Sequence, residues 1–254
     1  TLKKVCTFIY THRFELTSDN GLLKDAILNF SPNLIINCVG STDVKRCESD
    51  YGYAKLGNIE SIKRIMEVIK LLAIKVYVVH LSTDQVYGTF KNNSEENASP
   101  LNNYGATKLL GENYVQDDGL VIRLNYTGRG TNEKVSFSDW IYDTALHSKH
   151  VKLYNDIYFN PIHVSHLLNN INIAYYNNLR GVYNIGSIDG LSKADYYIKF
   201  CSYLGLDNPN VETVSIKDLN NLISKTSITN IEKALKSGLK LPSIEQVICE
   251  NARE

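Results

Sequence analysis

The sequence predicts an α/β fold: a doubly wound, mostly parallel sheet with a small α+β lobe toward the C-terminus. Three observations carry this. Apolar runs of strand length alternate with stretches of helical period over the first half of the chain. The run Lys75–Leu81 (KVYVVHL) is too uniformly apolar and β-branched for a strand with one wet face, and suits the middle of a parallel sheet. After Thr127-Gly128-Arg129-Gly130 the rhythm changes to shorter elements.

Taken in order, Val5–Tyr10 reads as a strand and Gly21–Asn29 as a helix. Ser31-Pro32-Asn33 breaks the chain before a strand at Leu34–Cys38. Tyr53–Leu72 reads as one long helix, because Ile59, Ile62, Ile65, Met66 and Ile69 recur at helical spacing. The strand Lys75–Leu81, a loop, a helix opening at Tyr104 and a strand at Leu120–Leu124 follow. Strand–helix–strand units of this length need crossovers, which run right-handed and put helices on both faces of the sheet. Beyond residue 130 come a helix (Phe137–Leu146), a strand (Val151–Tyr154), an extended Phe159–His163 and a helix from Ser165. Val182–Ile185 is apolar enough to rejoin the sheet. A helix (Lys193–Leu204), a strand (Val211–Val214) and two short helices (Ile231–Lys236, Ile244–Asn251) complete the chain. The expected organisation is a sheet domain over 1–127 and a lobe over 128–254, with the return strand near 182–185 and some late helices packing on the sheet.

Composition excludes more than it assigns. The 254 residues are ample to bury a core. A formal net charge of +0 argues against nucleic acid or an anionic membrane as partner. No apolar run approaches the roughly 20 residues that span a bilayer. The 5 cysteines (Cys6, Cys38, Cys47, Cys201, Cys249) are odd in number and never form Cys-x-x-Cys, as expected of reduced thiols in a cytoplasmic protein.

Chemistry concentrates where Lys75–Leu81 ends in Ser82-Thr83-Asp84, followed 20 residues after Asp84 by Tyr104-Gly-Ala-Thr-Lys108. Hydroxyls at the carboxyl end of a parallel strand sit where open α/β sheets bind ligands. Tyr104 and Lys108 share one helix face at i,i+4. An ammonium beside a phenol favours the phenolate, so the pair can move a proton on or off a carbonyl or alcohol oxygen. Tyr-x-x-x-Lys alone is a weak signal: Tyr51/Lys55 and Tyr87/Lys91 fit it too. Only Tyr104/Lys108 follows a strong strand with a hydroxyl pair and opens a helical run behind Pro100 and Asn102-Asn103. The i,i+3 histidines His147/His150 and His163/His166 have metal-compatible spacing, but no neighbouring carboxylate or thiol cluster, so no metal site is expected. Tyr154, Tyr158, Phe159 and Tyr175-Tyr176 read as core or rim aromatics.

These residues carry a family resemblance. The chain resembles the extended short-chain dehydrogenase/reductases, and within them the dTDP-4-dehydrorhamnose reductase group. Ser31-Pro-Asn-Leu-Ile-Ile-Asn37-Cys-Val-Gly40-Ser-Thr42-Asp-Val44 is similar to that group's strand and loop P-D-V-I-N-A-A-A-Y-T-x-V, with Glu48 at its usual Glu. Asn58, Ser82-Thr83-Asp84-Gln-Val-Tyr-Gly88, Tyr104–Glu112, Val121-Ile-Arg123, Asp156–Val164 and Gly181–Gly186 continue the match in order.

The resemblance implies a Rossmann-type dinucleotide-binding domain and a nucleotide-sugar-binding lobe. The implied reaction is reduction of a 4-keto-6-deoxy sugar, with NADP or NAD as cofactor. Tyr104 would protonate the sugar oxygen, Lys108 would hold the nicotinamide ribose and depress the Tyr104 pKa, and Thr83 would hydrogen-bond the same oxygen. Cys38, Val39 and Gly40, with Asn58 and Ser82, would line the cofactor. Arg13 and Glu15 would meet its adenosine end, Arg13 favouring a 2′-phosphate. Thr42, Asp84, Gln85 and Asn125 would join Thr83 on the substrate side. The resemblance leaves room for a homodimer.

Two departures bear on the reading. Gln85 stands where the related 4,6-dehydratases carry a second carboxylate, and an amide cannot serve as their base. No G-x-G-x-x-G or G-x-x-G-x-x-G occurs, so the turn that receives a pyrophosphate at a helix N-terminus is missing from this chain. The expectation is that an opening strand, turn and most of a helix, roughly 20 to 30 residues, lie upstream, and that residues 1–254 alone are inactive. Three functions remain open: the reductase, an epimerase or other oxidoreductase on a different nucleotide sugar, and a non-catalytic dinucleotide binder that regulates a partner.

Overall fold

The computed structural model describes residues 20–88, 93–130, 135–206, 209–216 and 226–254, which form two compact units. The expected strand Val5–Tyr10 lies outside them. The first unit comprises the described residues up to Val86, with Ser99–Arg123 and Ile171–Tyr183; the second comprises Tyr87–Ala98, Leu124–Asn170 and Asn184–Glu254, as far as they are described.

In the first unit, helix α1 (Asn20–Phe30) leads to strand β1 (Leu34–Asn37), and two short helices follow, α2 (Val44–Ser49) and α3 (Tyr51–Lys55). Asp43 and Asp50 cap these, their carboxylates accepting from Arg46 N at 3.0 Å and Tyr53 N at 2.9 Å. A π-helical turn at Leu56–Glu60 joins α3 to α4 (Ser61–Leu72). The single helix expected over Tyr53–Leu72 is therefore present but carries one wide turn, where an extra residue is accommodated without breaking the helix. Ala73, at φ 50°, ends α4, its N–H meeting the Ile69 and Lys70 carbonyls.

Strand β2 (Tyr77–Leu81), helix α5 (Asn103–Glu112) and strand β3 (Leu120–Arg123) follow. The sheet closes with β8 (Gly181–Asn184), in the order β1-β2-β3-β8. Strands β1 and β2 are parallel, in register from Leu34↔Tyr77 to Asn37↔His80; β2 and β3 are parallel from Val79↔Leu120 to Leu81↔Ile122. Tyr77 through His80 and all of β3 are buried, the two-faced burial expected of a parallel sheet. On one face, Leu23 and Ile27 of α1 and Ile62, Ile65 and Val68 of α4 pack with Val78 and Val121.

The second unit is built on shorter elements: β4 (Tyr126–Thr127), α6 (Phe137–Leu146), β5 (Val151–Tyr154), β6 (Tyr158–Phe159) and β7 (Ile162–His163), then α7 (Val164–Tyr176), which runs on into the first unit. After β8 come β9 (Leu191–Ser192), α8 (Lys193–Tyr203), β10 (Val211–Val214), β11 (Thr226–Ser227), α9 (Glu232–Lys236) and α10 (Ile244–Arg253). Parallel pairing joins β5 to β10, β4 to β7 and β6 to β11, while β6 and β9 are antiparallel. Ile141, Leu153, Phe159, Tyr196, Tyr197, Phe200 and Ile248 form its core. Reciprocal capping boxes, Ser136 with Asp139 and Ser243 with Gln246, start α6 and α10.

The return strand expected near 182–185 is β8, and the chain passes to the second unit at Leu124; the segment that a boundary at 127 does not foresee is Tyr87–Ala98. The segment Tyr87–Ala98 belongs to the second unit for a polar reason. Tyr87 Oη donates to Asn184 Oδ1 at 2.7 Å, Asn93 Nδ2 to the Ile228 carbonyl at 2.8 Å, and Asn184 Nδ2 to the Asn93 carbonyl at 2.9 Å. Among the described residues no helix is long and apolar enough to cross a membrane, and no metal-holding group of His, Cys, Asp or Glu occurs.

Candidate active site

The site is assembled at the carboxyl ends of β1 and β2 in the first unit. Lys108, on α5, is buried, and its Nζ donates to the Leu81 carbonyl at 2.6 Å, so the ammonium sits against the last residue of β2. Burial lowers its pKa to about 8, opposed by the charges of Glu112 and Cys38. Tyr104 lies one turn earlier, buried, with Cys47 and Ala54 and with the partly buried Val44 and Tyr53 around it.

Helix α5 is locked to the turn that follows β2. Asn102 caps it, accepting from Gly105 N at 2.8 Å, and the Asn102 amide reaches Gln85 Oε1 at 3.4 Å. Gly105 has no room for a side chain, because a Cβ there would collide with the Gln85 carbonyl. Thr83 and Asp84 are both buried. The Thr83 hydroxyl donates to Asp84 Oδ1 at 3.2 Å and accepts from Gln85 N at 3.2 Å.

Loop 38–42, after β1, forms the facing wall. Cys38 and Thr42 are exposed, while Val39 and Gly40 are partly buried. A Cβ on Gly40 would stand 3.2 Å from Asn58 Oδ1 and 3.8 Å from Lys108 Nζ, so the missing side chain keeps the space beside the ammonium clear. Asn58, expected to line a cofactor, is instead fully buried beneath this loop. Its Oδ1 accepts from Ser41 N at 2.8 Å, and its amide donates to the Ser41 carbonyl at 3.3 Å and to Thr107 Oγ1 at 3.0 Å. Its polar groups are spent on holding loop and helix together. Arg13 and Glu15 lie outside the described residues. Asn125 belongs to the second unit, where its carbonyl accepts from Ile162 N at 2.9 Å.

Two polar constellations beneath the site escaped the reading from residues alone. Ser82 Oγ donates to Glu112 Oε1 at 2.5 Å, and Arg123 grips the same carboxylate, its Nη2 reaching Oε2 at 2.7 Å. All three residues are buried. The signal was available: Glu112 is i,i+4 from Lys108, and Arg123 is a charge ending an otherwise apolar strand. Deeper, the fully buried His80 accepts from Asn37 Nδ2 at its Nδ1, 2.9 Å away, while Asn37 Oδ1 takes the Val39 N–H at 3.1 Å. Burial, and then the Lys108 charge, hold the His80 pKa well below its usual value. Of the paired histidines, His147 meets Asp143 and His150 meets Glu212, while His163 and His166 both meet the Glu250 carboxylate, with Glu254 also on His163: carboxylates that the spacing alone did not place there.

The fold is that of doubly wound α/β proteins, with Lys108 of α5 seated on the last residue of β2 and polar side chains gathered at the sheet's carboxyl edge. Comparison makes the assignment specific: the chain belongs to the RmlD substrate binding domain family, whose model matches residues 7–249. It is 26% identical over 250 residues to the probable low-salt glycan biosynthesis reductase Agl14 of Haloferax volcanii, covering 92% of this chain and 81% of that one. It is 31% identical over 145 residues to the dTDP-4-dehydrorhamnose reductase of Salmonella typhimurium, a match spanning 54% of this chain and less than half, 46%, of the relative. The Bacillus anthracis dTDP-4-dehydrorhamnose reductase, solved in complex with NADP, superposes with a TM-score of 0.82 at 23% identity over 92% of this chain and 84% of that one, which establishes the fold.

Proposed function

We propose that this protein reduces the keto group of a nucleotide-activated 4-keto-6-deoxy sugar, with NADP or NAD as the cofactor. The observation that carries the reading is the seat of Lys108 Nζ on the Leu81 carbonyl, on the same helix face as Tyr104 and two residues before Thr83. The dinucleotide, when bound, supplies the hydride. A ribose hydroxyl would approach the ammonium from the side of Gly40, whose missing Cβ would otherwise stand 3.8 Å from Lys108 Nζ.

The chain's own residues handle the oxygen. Tyr104 gives its phenolic proton to the developing alkoxide, and Lys108 stabilises the phenolate left behind. Thr83 has one hydroxyl proton, which rests on Asp84 Oδ1; turning it to the substrate oxygen gives a second hydrogen bond there, while the Gln85 N–H keeps the oxygen of Thr83 in place. Gln85, an amide engaged with Asn102, cannot abstract a proton, which favours simple reduction over dehydration. The charge balance and free thiols of the described residues suit a cytoplasmic setting.

The test is oxidation of NADPH or NADH by the full-length gene product with a dTDP-4-keto-6-deoxy sugar. Turnover that falls at least 100-fold in Tyr104→Phe supports the reading. Tight dinucleotide binding without turnover on any keto sugar would overturn it in favour of a non-catalytic binder.

A further inference from the structure

Resting on the reductase reading, we propose that Glu112 is the positioning residue of this site: its buried carboxylate ties the β2 terminus, through Ser82, to Arg123, and so fixes the register in which Lys108 and Thr83 meet the substrate.

Glu112 is the junction of three elements. It sits on α5 one turn beyond Lys108, accepts from Ser82 at the end of β2 at 2.5 Å, and is held by Arg123 at the end of β3 at 2.7 Å. Ser82 lies between Leu81, whose carbonyl receives Lys108 Nζ, and Thr83. One carboxylate therefore clamps both neighbours of the reacting groups. A carboxylate at 1% side-chain exposure is costly unless fully paired, and a hydrophobic pair of equal volume would serve stability as well or better. What such a pair cannot supply is a fixed negative charge one helical turn from the ammonium. Facing Lys108 are Glu112 and Tyr104 on its own helix, Cys38 after β1, and His80 on β2; Glu112 and Cys38 favour its charged form and burial opposes it.

The experiment compares wild type, Glu112→Gln, the double variant Glu112→Gln/Arg123→Met, and Ser82→Ala in the full-length gene product. The double variant removes both members of the buried ion pair, so neither Glu112 nor Arg123 is left without its partner, and it is expected to fold even if Glu112→Gln alone does not. Competitive acetylation of Lys108 across pH, read by mass spectrometry, gives its protonation midpoint without requiring turnover. The expected results are a midpoint in the double variant about one pH unit below wild type, with the kcat–pH profile moving alike, and a kcat about tenfold lower at unchanged KM in Ser82→Ala. A double variant with wild-type midpoint and wild-type kcat profile would overturn the proposal, leaving Glu112 a stability element only. Absence of turnover in wild type sinks the reductase reading instead, and the labelling midpoint then decides the effect of Glu112 on Lys108 by itself.

Discussion

Asn37 and His80 face each other across β1 and β2 as register partners, and the 2.9 Å contact from Asn37 Nδ2 to His80 Nδ1 fixes the ring as an acceptor on that side. The proton of the neutral imidazole then resides on Nε2, and charging the ring would break the contact. Because burial depresses the His80 pKa, the folded state resists protonation while the unfolded chain takes it up near pH 6.5. The stability tied to neutral His80 is complete above that value and drains away as pH falls below it. Thermal midpoints measured from pH 7.5 to 5 should fall in wild type. They should fall less in His80→Gln, whose side-chain oxygen still accepts from Asn37.

Lys108 has the same sign at the other end of the scale. Its folded pKa of about 8, against 10.5 in the unfolded chain, means that burial of the ammonium costs stability below pH 8. The cost is relieved as pH rises from about 8 to 10.5 and corresponds to about 3 kcal/mol. Lys108→Met should therefore be at least as stable as wild type in urea titrations at pH 7, while losing reductase turnover by 100-fold or more. A variant that loses activity and stability together would contradict this division.

Glycines allow the wall of the site to close. A Cβ on Gly57 would lie 2.6 Å from Ser41 N, and one on Gly111 would run into the Asn58 carbonyl. In both cases backbone stands in the way, joined at Gly57 by the Ser41 hydroxyl, so turning one side-chain tip aside gives no relief. Gly57→Ala and Gly111→Ala should each cost about 2–3 kcal/mol, with reductase activity impaired through the displaced loop 38–42. Denaturant midpoints check the first point and KM for the dinucleotide the second.

In the second unit, Asn160 is the polar counterpart. Its amide donates to the Ser187 carbonyl at 3.2 Å and the Thr229 carbonyl at 3.3 Å, and its Oδ1 accepts from Thr229 N at 3.0 Å. Asn160→Ala would strand these buried groups and should cost about 3 kcal/mol. Asn160→Asp, which turns a donor into an acceptor against two carbonyls, should be no better. Thermal unfolding of the two variants tests the pair of expectations.

Much of this architecture was legible in the residues because it follows from periodicity. Phe137–Leu146 and Val151–Tyr154 have apolar spacing and flanking caps that leave little choice, and they form as read. The Tyr104/Lys108 pair was marked out by its position behind a buried strand, and it stands there. What the residues did not disclose is mostly long-range hydrogen bonding. Nothing local in Asn58 says that its amide will be consumed by Ser41 and Thr107, the latter 49 residues away. Nothing in Tyr87–Ala98 announces that its partners are Asn184 and Ile228. A division at residue 127 follows the change of rhythm in the chain, whereas the units follow partners that only the folded state brings together.

The wide turn at Leu56–Glu60 makes this helix sensitive to its count of residues. It holds Asn58 under the loop by fitting one residue more than an ordinary turn, with Gly57 and Ile59 buried beside it. Deleting a single amino acid there would restore an unbroken α-helix, and because the wide turn only absorbs one surplus residue, Ser61–Leu72 would keep its face toward the sheet. Ile62, Ile65 and Val68 would stay on the sheet, whereas Asn58 would lose its place under the loop. A one-residue deletion at this turn should therefore spare the packing of the helix and cost the loop its anchor: the surplus residue serves the wall, not the core.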